Sequence, residues 1–168
     1  MTRTCVRSFV AITMLIGAAL PAHAQSQTQT FMLVNGGAIP GDSTVDAYRN
    51  WIDLYSITHA LAPSGKAANA CIIDVGKGID SAGPRLWAAA VAAQNLGPVQ
   101  IDIRKAGGDP FKFYEILLTN ARVTSIVSMP DQFLERLTLT GDAVTVKFIA
   151  QNAQGQLLPP VTTTVNCK

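Results

Sequence analysis

The stretch VQIDIRKAGGDPFKFYEILLTNARVTSIVS, residues 99–128, decides the fold. In VQIDIRK the apolar residues Val99, Ile101 and Ile103 alternate with Gln100, Asp102 and Arg104, the period-two pattern of a strand with one face toward a core. AGGDP (106–110) then sets two adjacent glycines between alternating runs, the chemistry of a hairpin turn that needs positive φ. FKFYEILLTN (111–120) and ARVTSIVSM (121–129) continue as β-branched and aromatic runs, so antiparallel strands follow one another with only short turns between them. The glycine pair is not a phosphate cradle, because no strand–loop–helix follows it and no Gly-Lys-Ser/Thr is present.

Outward from this core the same period recurs in TQTFMLV (28–34), NWIDLYSITH (50–59), ACIIDV (70–75), FLERLTLTG (133–141) and AVTVKFIAQ (143–151), with VTTTVNC (161–167) as a ninth candidate. One segment breaks it. PRLWAAAVAAQN (84–95) reads as a helix with Pro84 at its first position, Ser81 or Gly83 as its cap and a stop at Asn95 to Gly97. Leu86, Ala89, Ala90 and Ala93 make a narrow stripe of small residues that suits packing on the chain's own sheet or, alternatively, on a neighbouring subunit. Two long connections, NGGAIPGDSTVDAYRN (35–50) and QNAQGQLLPP (151–160), complete the pattern.

The 168 residues are 48% apolar and 14% charged, which excludes a disordered chain and gives room for one sizeable domain. Residues 1–24, MTRTCVRSFVAITMLIGAALPAHA, have Arg3 and Arg7 ahead of an apolar run and end on the small-x-small triplet Ala22, His23, Ala24. They predict a secretory signal peptide, with a mature domain from Gln25 to 168 and a periplasmic or secreted location. The apolar run, Phe9 to Leu20, is too short for a membrane anchor. The leader carries the whole formal charge of +2, so the mature chain is neutral. With no basic stripe left, nucleic acid is not an expected partner.

Catalytic chemistry is not expected. The one remaining histidine, His59, sits at a strand end, Ser64 has no partner base, and Asp53, Asp102 and Glu115 fall in the polar phase of strands, where solvated sheet faces account for them. Trp51 and Tyr55 share a strand face and suit packing more than ligand stacking. No metal-ligand spacing and no cofactor motif occurs. Cys71 and Cys167 either close a loop of 96 residues, for which chain entropy gives about 4.7 kcal/mol, or Cys71 stays a buried free thiol.

Four blocks then resemble the haemolysin-coregulated (Hcp) tube proteins of the bacterial type VI secretion system. They are GDSTVDAYRNWIDLYSITHAL (41–61), GKGIDSAGPRLWAAA (76–90), the opening stretch 99–128, and LERLTLTGDAVTVKFIAQNAQGQLLPPVTTTVNC (134–167). The resemblance implies a small antiparallel β-barrel of two sheets with one flanking α-helix. It also implies hexameric rings that stack into a tube and carry secreted effectors. On that footing Asp42, Ser43 and Thr44 are expected to reach the next ring, while Leu86, Ala89 and Ala93 are expected to pack a neighbour or face the lumen. The resemblance also implies a cytoplasmic subunit without a leader, so the leader predicts an exported relative. The alternative is a monomeric, exported β-barrel binding module that has left the tube.

Overall fold

The computed structural model describes residues 28–62, 70–107 and 110–167. The leader (1–24), Ser64 and two residues of the glycine turn lie outside them. Among the described residues nine strands and one α-helix follow in the order β1 (Thr28–Val34), β2 (Ile52–Ala62), β3 (Ala70–Gly78), α1 (Gly83–Val91), β4 (Val99–Lys105), β5 (Lys112–Thr119), β6 (Arg122–Met129), β7 (Leu134–Thr140), β8 (Ala143–Phe148) and β9 (Val161–Asn166). Every ladder is antiparallel. The chain reverses between β4 and β5 at the glycine turn, where the Lys105 N–H donates to the Phe111 carbonyl and Gly107 has φ +82°.

Where two sheets are expected, the strands form one continuous sheet in the order β6-β7-β3-β2-β1-β4-β5-β8-β9. It is rolled. In a flat sheet the six strand steps from β3 to β9 would separate those strands by roughly 29 Å, at about 4.8 Å per step. Instead Cys71 on β3 and Cys167 just past β9 have Cα atoms 5.5 Å apart. Register breaks in β2 (Leu54/Ser56), in β5 (Phe113, skipped opposite Ile103/Arg104) and in β6 (Val123/Ser125) supply the local bends that let one sheet curl rather than split. No ladder joins β6 to β9 among the described residues.

The inside of the roll is a single apolar core, with Met32, Ile52, Ile73, Ile101, Ile116, Leu118, Leu137 and Leu139 all but inaccessible to water. Helix α1 lies against β6 and adds Leu86 and Ala89 to that core. It ends earlier than its composition predicts. Ala93 turns left-handed (φ 47°), and the Gln94 N–H bonds back to the Ala89 carbonyl. The Arg122 guanidinium then takes the Ala93 carbonyl at 2.8 Å.

Candidate functional site

Along β3 the inward phase runs Cys71, Ile73, Val75 and then, against the pattern, Lys77. This fully buried ammonium sits 2.6 Å from Glu135 Oε2 and 2.6 Å from Asp80 Oδ1, and donates to the Gly78 carbonyl at 2.7 Å. Glu135, at the start of β7, accepts on its other oxygen from Ser128 Oγ (2.7 Å) and Trp87 Nε1 (3.3 Å). Burial alone would push its carboxyl up, but the hydrogen bonds from Lys77 and Ser128 outweigh that and hold it below the ordinary carboxylate range. Asp80 Oδ1 also accepts the Ala82 and Gly83 N–H groups at 3.0 and 3.1 Å, so Asp80 caps α1, the role expected of Ser81 or Gly83. Gly83 must be small here, since a Cβ on it would lie 2.8 Å from Glu135 Oε2.

A second polar knot covers the outer side of β1 and β4. The segment between β1 and β2 folds back so that Tyr48 stacks on Phe31, centroids 4.2 Å apart, and donates its hydroxyl to Asp102 Oδ2 at 3.2 Å. Gln100 Nε2 donates to Asp102 Oδ1 at 2.9 Å, and Lys112 Nζ stands 3.1 Å from Oδ2 while also pairing with Glu115. Burial of the ring, reinforced by the Asp102 charge, pushes the Tyr48 phenol up to about 12. For Lys112, burial works downward, but the bonds to Glu115 and Asp102 prevail and raise it. The expectation of a solvated face therefore fails for Asp102, which is buried because the Tyr48 segment roofs it. Asp53 is exposed and Glu115 half-buried. Both oxygens of Glu135 and both of Asp102 have donors, so neither presents a free base.

Of the residues expected to reach the next ring, Asp42 is exposed but already engaged. Its carboxylate accepts the Ser81 hydroxyl (2.6 Å) and N–H (3.0 Å), bonds that lower its carboxyl below the usual range. Ser43 is buried, with its backbone tied to Trp51 and Asn50 and its hydroxyl unpartnered. Thr44 is exposed, as are Asp46 and Ala47 at the tip. Among the helix positions expected at a neighbour, Leu86 and Ala89 are buried in the chain's own core, and Ala93 lies beyond the helix in an exposed turn. Leu86 and Ala89 therefore face the chain's own sheet, where α1 packs against β6. Trp51 packs edge-on against Tyr48 (4.9 Å), Tyr55 is exposed, and His59 Nε2 lies 3.3 Å from the Tyr114 hydroxyl. Among the described residues no cluster of three or more His, Cys, Asp or Glu is placed to hold a metal, and no helix is long and apolar enough to cross a membrane.

What the surface offers instead is apolar. Beside the buried Lys77 knot, Ile79, Trp87 and Phe133 reach solvent, and Phe133, 76% exposed, holds a left-handed φ of 54° unusual for a bulky residue. At the other end of the strand order Phe148, Leu157, Leu158 and Val161 are exposed beside β8 and β9.

The described residues thus form a rolled antiparallel sheet with one flanking helix, two sealed polar knots and apolar surface near both ends of the strand order. The family model for the type VI secretion system effector Hcp matches residues 31–148, more than two thirds of the chain. The chain belongs to that Hcp family. Among solved structures it is similar to Hcp1 from Salmonella typhimurium (TM-score 0.69, 21% identity, 83% of this chain and 94% of that one). It is also similar to a type VI secretion system effector from Yersinia pestis (0.67, 19%, 82% and 98%). A third likeness is to the secreted protein Hcp3 from Pseudomonas aeruginosa (0.65, 16%, 84% and 99%). These likenesses show a shared fold. No curated relative matches the chain.

Proposed function

We propose that this chain is an exported Hcp-type structural subunit, whose copies join head to tail into closed hexameric rings that stack and carry secreted effectors. The observation that carries the reading is the family match across residues 31–148. The surface chemistry supports it. A heterologous ring contact needs two different patches on each subunit, and the Ile79–Trp87–Phe133 and Phe148–Leu158–Val161 groups are two such patches. Contact with the next ring falls to Thr44, Asp46 and Ala47, the exposed tip of a segment whose Ser43 and Tyr48 are spent inside the subunit. In this reading Leu86 and Ala89 hold the subunit together and Phe133 takes over the interface. Residues 1–24 direct export, and the mature domain begins near Gln25. The role is structural and calls for no cofactor.

Light scattering on residues 25–168 at micromolar concentration should give the mass of a closed ring, and Phe133→Ser should dissociate it while far-ultraviolet circular dichroism stays unchanged. A purely monomeric wild type would overturn the ring and leave the monomeric binding module as the better reading.

A further inference from the structure

We propose that Cys71 and Cys167 form a disulfide that fastens the last strand of the rolled sheet, which makes β9 a redox-controlled element, locked where disulfides persist and loose where thiols stay reduced. Their Cα atoms are 5.5 Å apart, within the span a disulfide bridges without backbone movement, although the residues are separated by 96 positions. Little else holds β9. It pairs with β8 alone, from Ala143↔Asn166 to Phe148↔Val161, and its far edge is unpaired among the described residues. Five of its six residues are exposed, so the strand contributes almost nothing to the core. Cys167, directly after it, is buried against β3, and its N–H donates to the Asp142 carbonyl at 2.7 Å. The sulfur bond would therefore tie an otherwise peripheral strand across the gap in the roll. An uncharged β-branched edge, Val161-Thr-Thr-Thr-Val165, is also a surface on which stray strand pairing starts, a reason to keep it pinned.

The chemistry is thiol–disulfide exchange with a disulfide oxidant. Because both sulfurs are covered when β9 is docked, the Cys167 thiolate attacks the oxidant while the strand end is lifted. One oxidant sulfur leaves as a thiol, and the Cys71 thiolate then displaces the second from the mixed disulfide. Two thiols lose two electrons and two protons, and the oxidant departs as two thiols.

The test uses the full mature chain recovered from an oxidising compartment without reductant. After denaturation, neither cysteine should be alkylated unless reductant is added first. Hydrogen exchange should show the amides of Thr162–Asn166 exchanging about tenfold faster after reduction, with β1 and β4 unchanged. Cys71→Ser/Cys167→Ser should reproduce the reduced pattern without reductant, and if it fails to fold, reduced wild type decides alone. Alkylation of both cysteines without reductant, or equal β9 exchange in the two redox states, would overturn the proposal. The alkylation readout does not depend on ring formation, and the exchange comparison is made between samples that light scattering shows to have the same oligomeric state, because Val161 of β9 belongs to the proposed ring contact.

Discussion

Replacing Lys77 with methionine keeps most of the buried stem and removes only the charge. The ammonium is fully buried, with Asp80 and Glu135 carboxylate oxygens each 2.6 Å away and themselves only 12% and 4% exposed. Removing one partner of a buried ion pair costs about 3–5 kcal/mol, because the remaining charge is desolvated and unpaired. Glu135 keeps its Ser128 and Trp87 donors and Asp80 keeps two helix N–H groups, which places the loss near the lower end, about 3 kcal/mol. At roughly 2–4 °C per kcal/mol, the melting temperature should fall by about 6–12 °C. The pH dependence carries a distinct signature. In wild type Glu135 lies below its ordinary 4.5, so its contribution is complete above that value and is lost as pH falls through the lower folded value. In Lys77→Met the hydrogen bond and charge of Lys77 no longer oppose burial, so the Glu135 carboxyl rises from its wild-type position and less stability is left to lose as it takes up its proton. Acidification should then narrow the gap between the two proteins. Urea unfolding followed by tryptophan fluorescence across a pH series measures this, and adding Glu135→Gln to Lys77→Met should recover about 1 kcal/mol. A variant within about 0.5 kcal/mol of wild type, or a gap that does not change with pH, would refute the reasoning.

Two further substitutions probe the same supports. Gly83→Ala should raise helix propensity by about 1 kcal/mol, yet net destabilisation of about 1–2 kcal/mol is expected from chemical denaturation, because the new Cβ meets Glu135 oxygens that Lys77 and Ser128 hold in place. Net stabilisation would mean that the knot yields freely. Tyr48→Phe removes one of three donors to Asp102 and should cost about 1 kcal/mol. Wild-type stability should also fall as pH climbs from 10 toward about 12, since the folded phenol ionises later than the unfolded one, and the variant should lose that part of the alkaline decline.

Nearly all of the strand pattern was legible because a period of two is local. TQTFMLV and VQIDIRK are strands over the same residues in sequence and structure, and most of the other strands shift by only a residue or two at their ends. The helix end was not legible. Ala92 to Asn95 continues a helical composition, and the left-handed turn at Ala93 is fixed by the Arg122 side chain reaching over from β6. Rolling of one sheet instead of two likewise depends on bulges that leave no mark in the alternation.

The supports of the candidate interface were present in the sequence but looked ordinary. Lys77, Asp80, Ser81 and Pro84 lie in one block of family resemblance and Glu135 in another, 58 residues beyond Lys77, and only the β3–β7 register brings Lys77 opposite Glu135. A charged residue in the inward phase of a strand reads as a break in the pattern, when it is in fact the place where the pattern gives way to a helix terminus that needs a carboxylate. Asp102 errs in the opposite sense. It stands in the outward phase, where solvent is the natural inference, and Tyr48 buries it from a loop whose glycines and acidic residues give no sign of a buried contact. A loop that closes over a sheet face has no period of its own, so the clearest local signal in that segment was its aromatic residue. Tyr48 set among small and polar neighbours is an anchor, stacked on Phe31 and bonded to Asp102, and only in the proposed ring would the exposed tip residues Thr44, Asp46 and Ala47 have a neighbour to meet.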